Sequence, residues 1–295
     1  MPEPPQQAPE FAAAAEYLRR LAETISRYPA FRSPAKSRAR REAADRSFDG
    51  EWGRATFELL HEPVVRLTIA LDHLRALAAV TEEPGAALAI ATLVRPPLEA
   101  LGSLWWLYAP DADVRERVQR RYNLRLASLV EQWAITAVTN PAATRKTENL
   151  IDEISRTAHG LGFDFTARKS RYDNLLGARF LGAKGVPSSS QLIESVLDLD
   201  EDDLARMVFR LTSAVIHGHA HAIVPFMVER GTPDIEGLTA TAIGLRFRMY
   251  ATLTGSVVLA SNSTMRRLIA HFGWSSGPWD QVAQPALIQW RDWLN

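Results

Sequence analysis

The stretch EDDLARMVFRLTSAVIHGHAHAIVPFMVER, residues 201–230, decides how the chain is read. At about 100° per residue, Leu204, Val208, Leu211, Val215, Ala222 and Phe226 gather on one face, the spacing of a helix laid against a core. Asp203, Arg206, Arg210, Ser213, His217 and His221 gather on a second stripe, within about 60° of Arg210. On a straight helix His219 points almost opposite to His217, so HGHAH is no three-histidine ligand set, and only His217 and His221 share a face. Asp200 stands where an N-cap belongs. Pro225 removes the hydrogen bond to the carbonyl of His221 and predicts a kink there.

Outward from this helix the same period recurs, and no alternating run competes with it. The prediction is an all-α fold, a multi-helix bundle. Helices are expected over about 10–27, one or two over 52–81 with Pro63 starting the second, and over 85–108, stopped by Ala109-Pro110. Others cover about 114–138, capped by Asp111 or Asp113 and broken by Asn140-Pro141, then 143–159, then a short one entered at 188–190 and running through Leu197. After a turn at 231–237 a long helix covers about 238–272, and the tail ends in a short helix that docks Trp290, Trp293 and Leu294. Residues 1–9, rich in proline and glutamine, read as a disordered tail, and 10–295 as a single helical domain. Residues 160–190 show several glycines and no sustained period. They read as a long irregular loop, a kind of connection that is often functional.

Basic and acidic residues balance at 34 each, so no global field draws the chain to nucleic acid or to an anionic membrane. Contact with RNA then requires a local basic patch. The one concentrated basic run, a connector over about 32–46 with Arg32, Lys36, Arg38, Arg40, Arg41 and Arg46, is either a solvated linker or such a patch. The chain has no cysteine, which removes disulfides, thiolate metal sites and cysteine nucleophiles. The start lacks the basic and apolar regions of a secretory signal, and the longest apolar stretch, 85–94, stops at Arg95, short of the ~20 residues of a membrane span. A soluble cytoplasmic protein without a membrane partner is expected.

Arg210 and His217 lie seven residues apart, almost in line on a helix, with Ser213 between them. An imidazole that titrates near neutrality moves protons, and a guanidinium holds phosphate. The stretch RLTSAVIH (210–217) resembles the Arg-x(4–6)-His pattern of the HEPN superfamily, helical proteins that include metal-independent ribonucleases and toxins. Ser213 to His217-Gly218, with an earlier Arg95-Pro96-Pro97-Leu98-Glu99, also resembles a set of poorly characterised bacterial helical proteins. The resemblance implies Arg210 as phosphate ligand and His217 as general base or acid, in a site shared across a homodimer in a toxin or phage-defence setting. Active members often carry a polar residue directly after the arginine; here that position is Leu211.

Arg95 and Glu99 sit four apart in an otherwise apolar helix. Either they neutralise each other, or Glu99 orients His217 while Arg95 adds positive charge to the stripe of Arg206, Arg210 and His221. Two other classes stay open. One is a non-catalytic ligand-binding or protein-interaction module whose Arg–Glu–His cluster is structural. The other is a helical metal or small-molecule enzyme using Glu58, His61, Glu99, His217 and His221, since Glu58-x-x-His61 matches half of a ferritin-like di-metal signature. No second Glu-x-x-His, Gly-rich phosphate loop or Gly-x-Ser-x-Gly elbow occurs, so no cofactor is expected.

Overall fold

An apolar helix over Ala87–Leu107 stands at the centre of the molecule. The computed structural model describes residues 8–28, 32–45, 55–82, 86–171, 175–197, 202–229 and 241–295. Among them are eleven α-helices: α1 (Ala8–Ser26), α2 (Arg38–Ala43), α3 (Ala55–Glu58), α4 (Glu62–Thr81), α5 (Ala87–Leu107), α6 (Val114–Thr139), α7 (Pro141–Gly160), α8 (Ser189–Leu197), α9 (Asp202–Ile216), α10 (Phe247–Phe272) and α11 (Gly277–Leu294). Four short strands pair as antiparallel ribbons, β1 (Phe165–Ala167) with β2 (Arg179–Leu181) and β3 (Met227–Glu229) with β4 (Thr241–Ile243). The fold is an all-α multi-helix bundle.

Helix α5 packs against α4, α8, α9 and α10, burying Ile90, Val94, Leu98, Leu101 and Leu104. Neither Arg95 nor the Pro96-Pro97 pair interrupts it, so the helix is longer than the apolar stretch that ends at Arg95. By length and composition α5 is apolar enough to cross a membrane, and most of it is buried among its neighbours. Gly102 allows the close approach of α8: a Cβ there would lie 2.6 Å from the carbonyl oxygen of Leu192. A buried apolar cluster runs from Ala14 in α1 to Trp290 in α11. The C-terminal helix is longer than expected, buries Trp279, Ala283, Ala286 and Trp290, and ties to α10 where Trp290 Nε1 donates to Thr254 Oγ1 at 3.0 Å. Asn140 both ends α6 and caps α7, its side chain accepting from the Ala143 amide at 3.1 Å.

The last long helix, expected from about 238, begins only at Phe247, because Thr241–Ile243 form β4 and residues 238–240 lie outside the described residues. Four further expectations change. The disordered reading of residues 1–9 lies outside the described residues up to residue 7, while Ala8 and Pro9 already belong to α1. The basic connector is not a bare linker, because Ser37 caps α2 and most of its arginines are tied inward; Arg46 lies outside the described residues. Arg38 donates to Glu42 and to the carbonyls of Pro110 and Ala112, Arg40 to Ser33 O, and Arg41 to Lys36 O.

Residues 160–190 are not one irregular loop either. They hold the β1–β2 ribbon, registered Phe165 to Leu181 and Ala167 to Arg179. Buried Asn123 of α6 fixes it: its Nδ2 donates to Leu181 O at 3.1 Å and Lys184 O at 3.2 Å, and its Oδ1 accepts from the Leu181 amide at 2.6 Å. Asn123→Ala leaves those buried groups unpaired and is expected to cost about 1–3 kcal/mol of stability in urea melts. Faster proteolysis between residues 165 and 184 should accompany the loss; an unchanged melt would show that water replaces the amide.

The fourth change concerns 201–230, which is not one helix. Helix α9 stops at Ile216, and the Asp200 cap lies outside the described residues.

Candidate functional site

Helix α9 lies against α5 and α8. Val208 is buried, and Leu204, Leu211 and Val215 pack against the core, as the periodicity requires. Its end is set by Gly218, whose φ of 66° is easy only for a residue without a Cβ. The amide of Gly218 donates to Val215 O and that of His219 to Ala214 O, both at 3.0 Å, the paired bonds of a Schellman stop. His217 is therefore the last half-helical residue, and the chain leaves the helix directly after it.

This stop changes the geometry of the histidines. His219 and His221 lie on an extended residue and a 3₁₀ turn over Ala220–Ala222, and Pro225 starts a second such turn instead of kinking a helix. His221 no longer follows the Arg210 stripe by helical spacing. His219 is not opposed to its neighbours: its ring centroid lies 6.1 Å from that of His217 and 5.5 Å from that of His221, on which it stacks.

Arg206, Arg210, His217, His219 and His221 are exposed and Ser213 is partly buried. Arg206 approaches Asp203 at 3.9 Å, a solvated pair of little strength. Among the described residues the side chains of Arg210, Ser213 and His217 form no hydrogen bond or ion pair. On α9, on the turns that follow it and on the β3–β4 ribbon, Met207, Ile216, Ile223, Val224, Met227 and Ile243 are exposed apolar side chains.

Arg95 and Glu99 form a mutual pair at 2.6 Å, both partly buried. The Arg95 guanidinium lies 5.0 Å from the centre of the Phe209 ring, so α5 meets α9 at the residue before Arg210. Glu99 does not bond His217. Phe209, and not Arg210, is the side chain that α9 turns toward this pair. Glu58 pairs with Arg121 at 2.6 Å and the His61 ring packs beside Phe57. The set Glu58, His61, Glu99, His217 and His221 thus does not assemble, and no three or more His, Asp or Glu side chains are placed to hold a metal ion among the described residues.

Sequence reasoning missed a buried polar centre elsewhere. Glu42 of α2 receives the fully buried Arg117 of α6 in a two-point contact, Nε to Oε2 at 2.9 Å and Nη2 to Oε1 at 2.8 Å. Arg117 also donates to the carbonyls of Ala109 and Ala112, and Arg38 donates to Glu42 at 2.7 Å. His271 of α10 stands 3.7 Å from Glu42, longer than a hydrogen bond. Its pKa is pushed down to about 3, first by burial and then by Arg117 and Arg38, so it is neutral here. The proximity of a carboxylate argues for the charged form. Burial and the two guanidiniums outweigh it, because the guanidiniums already occupy both Glu42 oxygens. Burial likewise holds the Tyr108 hydroxyl well above its ordinary range, and it donates to Leu59 O at 2.5 Å. A cavity of about 520 Å³ opens in front of this centre, lined by Arg38, Trp105, Asn262, Arg266, Arg267 and His271. No local sequence pattern joins residues so far apart in the chain.

The chain matches no family model, no curated protein and no solved structure.

Proposed function

We propose that this chain is a metal-independent endoribonuclease of the toxin or defence type, acting in the cytoplasm as a homodimer, with Arg210 and His217 as its working pair. The observation that carries the reading is that Arg210 and His217 stand exposed near the end of α9, with Ser213 beside them, and none of the three side chains has a hydrogen-bond or ion-pair partner among the described residues. Side chains kept for structure are normally hydrogen-bonded when buried, as Arg117 is; these are not held that way. In the proposed reaction the His217 imidazole takes the proton of a ribose 2′-hydroxyl. The 2′ oxygen then attacks the adjacent phosphorus while Arg210 holds the phosphoryl oxygens. The bond to the 5′ oxygen breaks, leaving a 2′,3′-cyclic phosphate and, after protonation, a 5′-hydroxyl.

Labelled single-stranded RNA incubated with the protein in EDTA tests this. Wild type is expected to cut it, and Arg210→Ala and His217→Ala are each expected to lose about 100-fold or more of the rate, with unchanged thermal melts because neither side chain is packed. Cleavage retained in both variants would end the proposal.

The exposed apolar rim favours a second reading, a protein-interaction module without catalysis. A dimer by sedimentation, with RNA left intact by the wild type, is the result that selects it.

A further inference from the structure

The ribbon β1–β2 carries an unusual charge for a chain of zero formal net charge. Between residues 164 and 184 stand Arg168, Lys169, Arg171, Arg179 and Lys184, against two acidic residues. Arg168, Lys169, Arg171 and Lys184 are exposed, and among the described residues none of the five has a carboxylate within ion-pair distance. Elsewhere several arginines are neutralised: Arg38, Arg66, Arg95, Arg117, Arg120 and Arg121 each pair with a glutamate. Along the ribbon five cations without a carboxylate partner among the described residues fall within a short stretch of chain.

The cations are also held in place. Arg179 Nη1 donates to the carbonyls of Arg168, Gly177 and Ala178, neutral partners that fix the guanidinium without cancelling its charge. The Arg168 guanidinium lies 4.9 Å from the centre of the Phe180 ring. Gly177 lets the strands close up, since a Cβ there would lie 1.8 Å from Arg168 O. Asn123 pins the whole ribbon to α6.

At its foot lies a cleft of about 750 Å³, the size of a small-ligand pocket. Arg66, Arg168 and Arg179 line it on a polar side together with Glu99 and Glu131. Arg66 is paired with Glu62 and Glu99 with Arg95. Exposed Val65 and Ile69 with Val186 offer an apolar wall.

We propose that this ribbon and cleft bind single-stranded RNA, the cations holding successive phosphates while the cleft takes an unstacked base. Strand binders combine a positive track with surfaces on which bases rest, and a guanidinium plane is one such surface. A duplex, whose bases stay stacked, leaves the cleft unused. The choice of RNA rests on the ribonuclease reading above; the grip on phosphodiesters does not.

The test uses the full chain carrying His217→Ala, so that RNA is not consumed, and fluorescence anisotropy of a labelled single-stranded RNA 12-mer. Lys169→Glu with Arg171→Glu, both fully outside the ribbon's own hydrogen bonds, is expected to weaken binding at least ten-fold. It should also flatten the slope of log K against log salt by about 1.4, the loss of two phosphate contacts to a single strand. Lys169→Arg with Arg171→Lys should bind as the parent does. Equal affinity and equal slope in the charge-reversed protein overturn the proposal. So does stronger binding to duplex RNA, to single-stranded DNA of the same sequence, or to vesicles containing anionic lipid. Salt-dependent RNA binding that the charge reversal abolishes, together with a wild type that never cuts, supports this surface and overturns the nuclease reading alone.

Discussion

Glu42→Ala is expected to lower the stability of the protein by roughly 3–5 kcal/mol, the cost of stranding a buried charge. Arg117 is fully buried, and among the described residues Glu42 is the one carboxylate that meets it, at two points and under 3 Å. Without Glu42 the guanidinium keeps only the neutral carbonyls of Ala109 and Ala112. Arg38 loses its carboxylate partner in the same step. The pair also joins α2 to α6, so the effect should reach the packing of both. Glu42→Gln, which preserves shape and loses charge, should fall between wild type and alanine. Replacing both partners, Glu42→Leu with Arg117→Met, should recover much of the loss, because neither charge then has to be kept from water. Urea melts measure all three. A loss below about 1 kcal/mol in the alanine variant, typical of a solvent-screened pair, would refute the buried-charge account.

The second large effect is a pH dependence through His271. Its pKa is about 3 in the folded protein, against an ordinary value of 6.5. The unfolded chain therefore takes up a proton from pH 6.5 downward, and the folded chain does not until about pH 3. The group's stabilising contribution is fully present above 6.5 and is lost across that window as pH falls, at about 1.4 kcal/mol per unit once well below 6.5. Near pH 5 the loss is about 2 kcal/mol. The imidazolium is disfavoured first by burial and then by Arg117 and Arg38, so His271→Phe should remove that part of the acid sensitivity. Melts of wild type and variant at pH 7 and pH 5 decide it, the carboxylates contributing equally to both. If the two proteins lose the same stability between those pH values, His271 does not titrate as described.

Much of the bundle was legible because helices with one buried stripe announce it. Pro63 in the first turn of α4, Asp113 capping α6 and the apolar run of α5 all lie where local rules put them. The end of α9 is legible as well. Gly218 follows the last core-facing residue of α9, Val215, by three positions, a normal stop signal, and Pro225 is no helix interior residue. The ribbons escaped because strands of three residues show no period. Of the site, Arg210, Ser213 and His217 were found from spacing along one helix, and the structure leaves all three near one end of it. His221 was placed by a helix that is not there. The pairing of Arg95 with Glu99 follows from i,i+4 spacing, whereas the meeting of Arg95 with Phe209 needs the tertiary fold. Glu42, Arg117 and His271 were invisible for the same reason: each is an ordinary residue until three helices bring them together.

Asn123 has one more effect. A two-stranded ribbon normally leaves a free edge, a row of amides and carbonyls onto which a strand of another molecule can zip. At Leu181 the Asn123 side chain offers one acceptor and one donor, as a peptide unit of a neighbouring strand does. A single carboxamide from a helix thus seals the outer border of β2 at that residue against self-association.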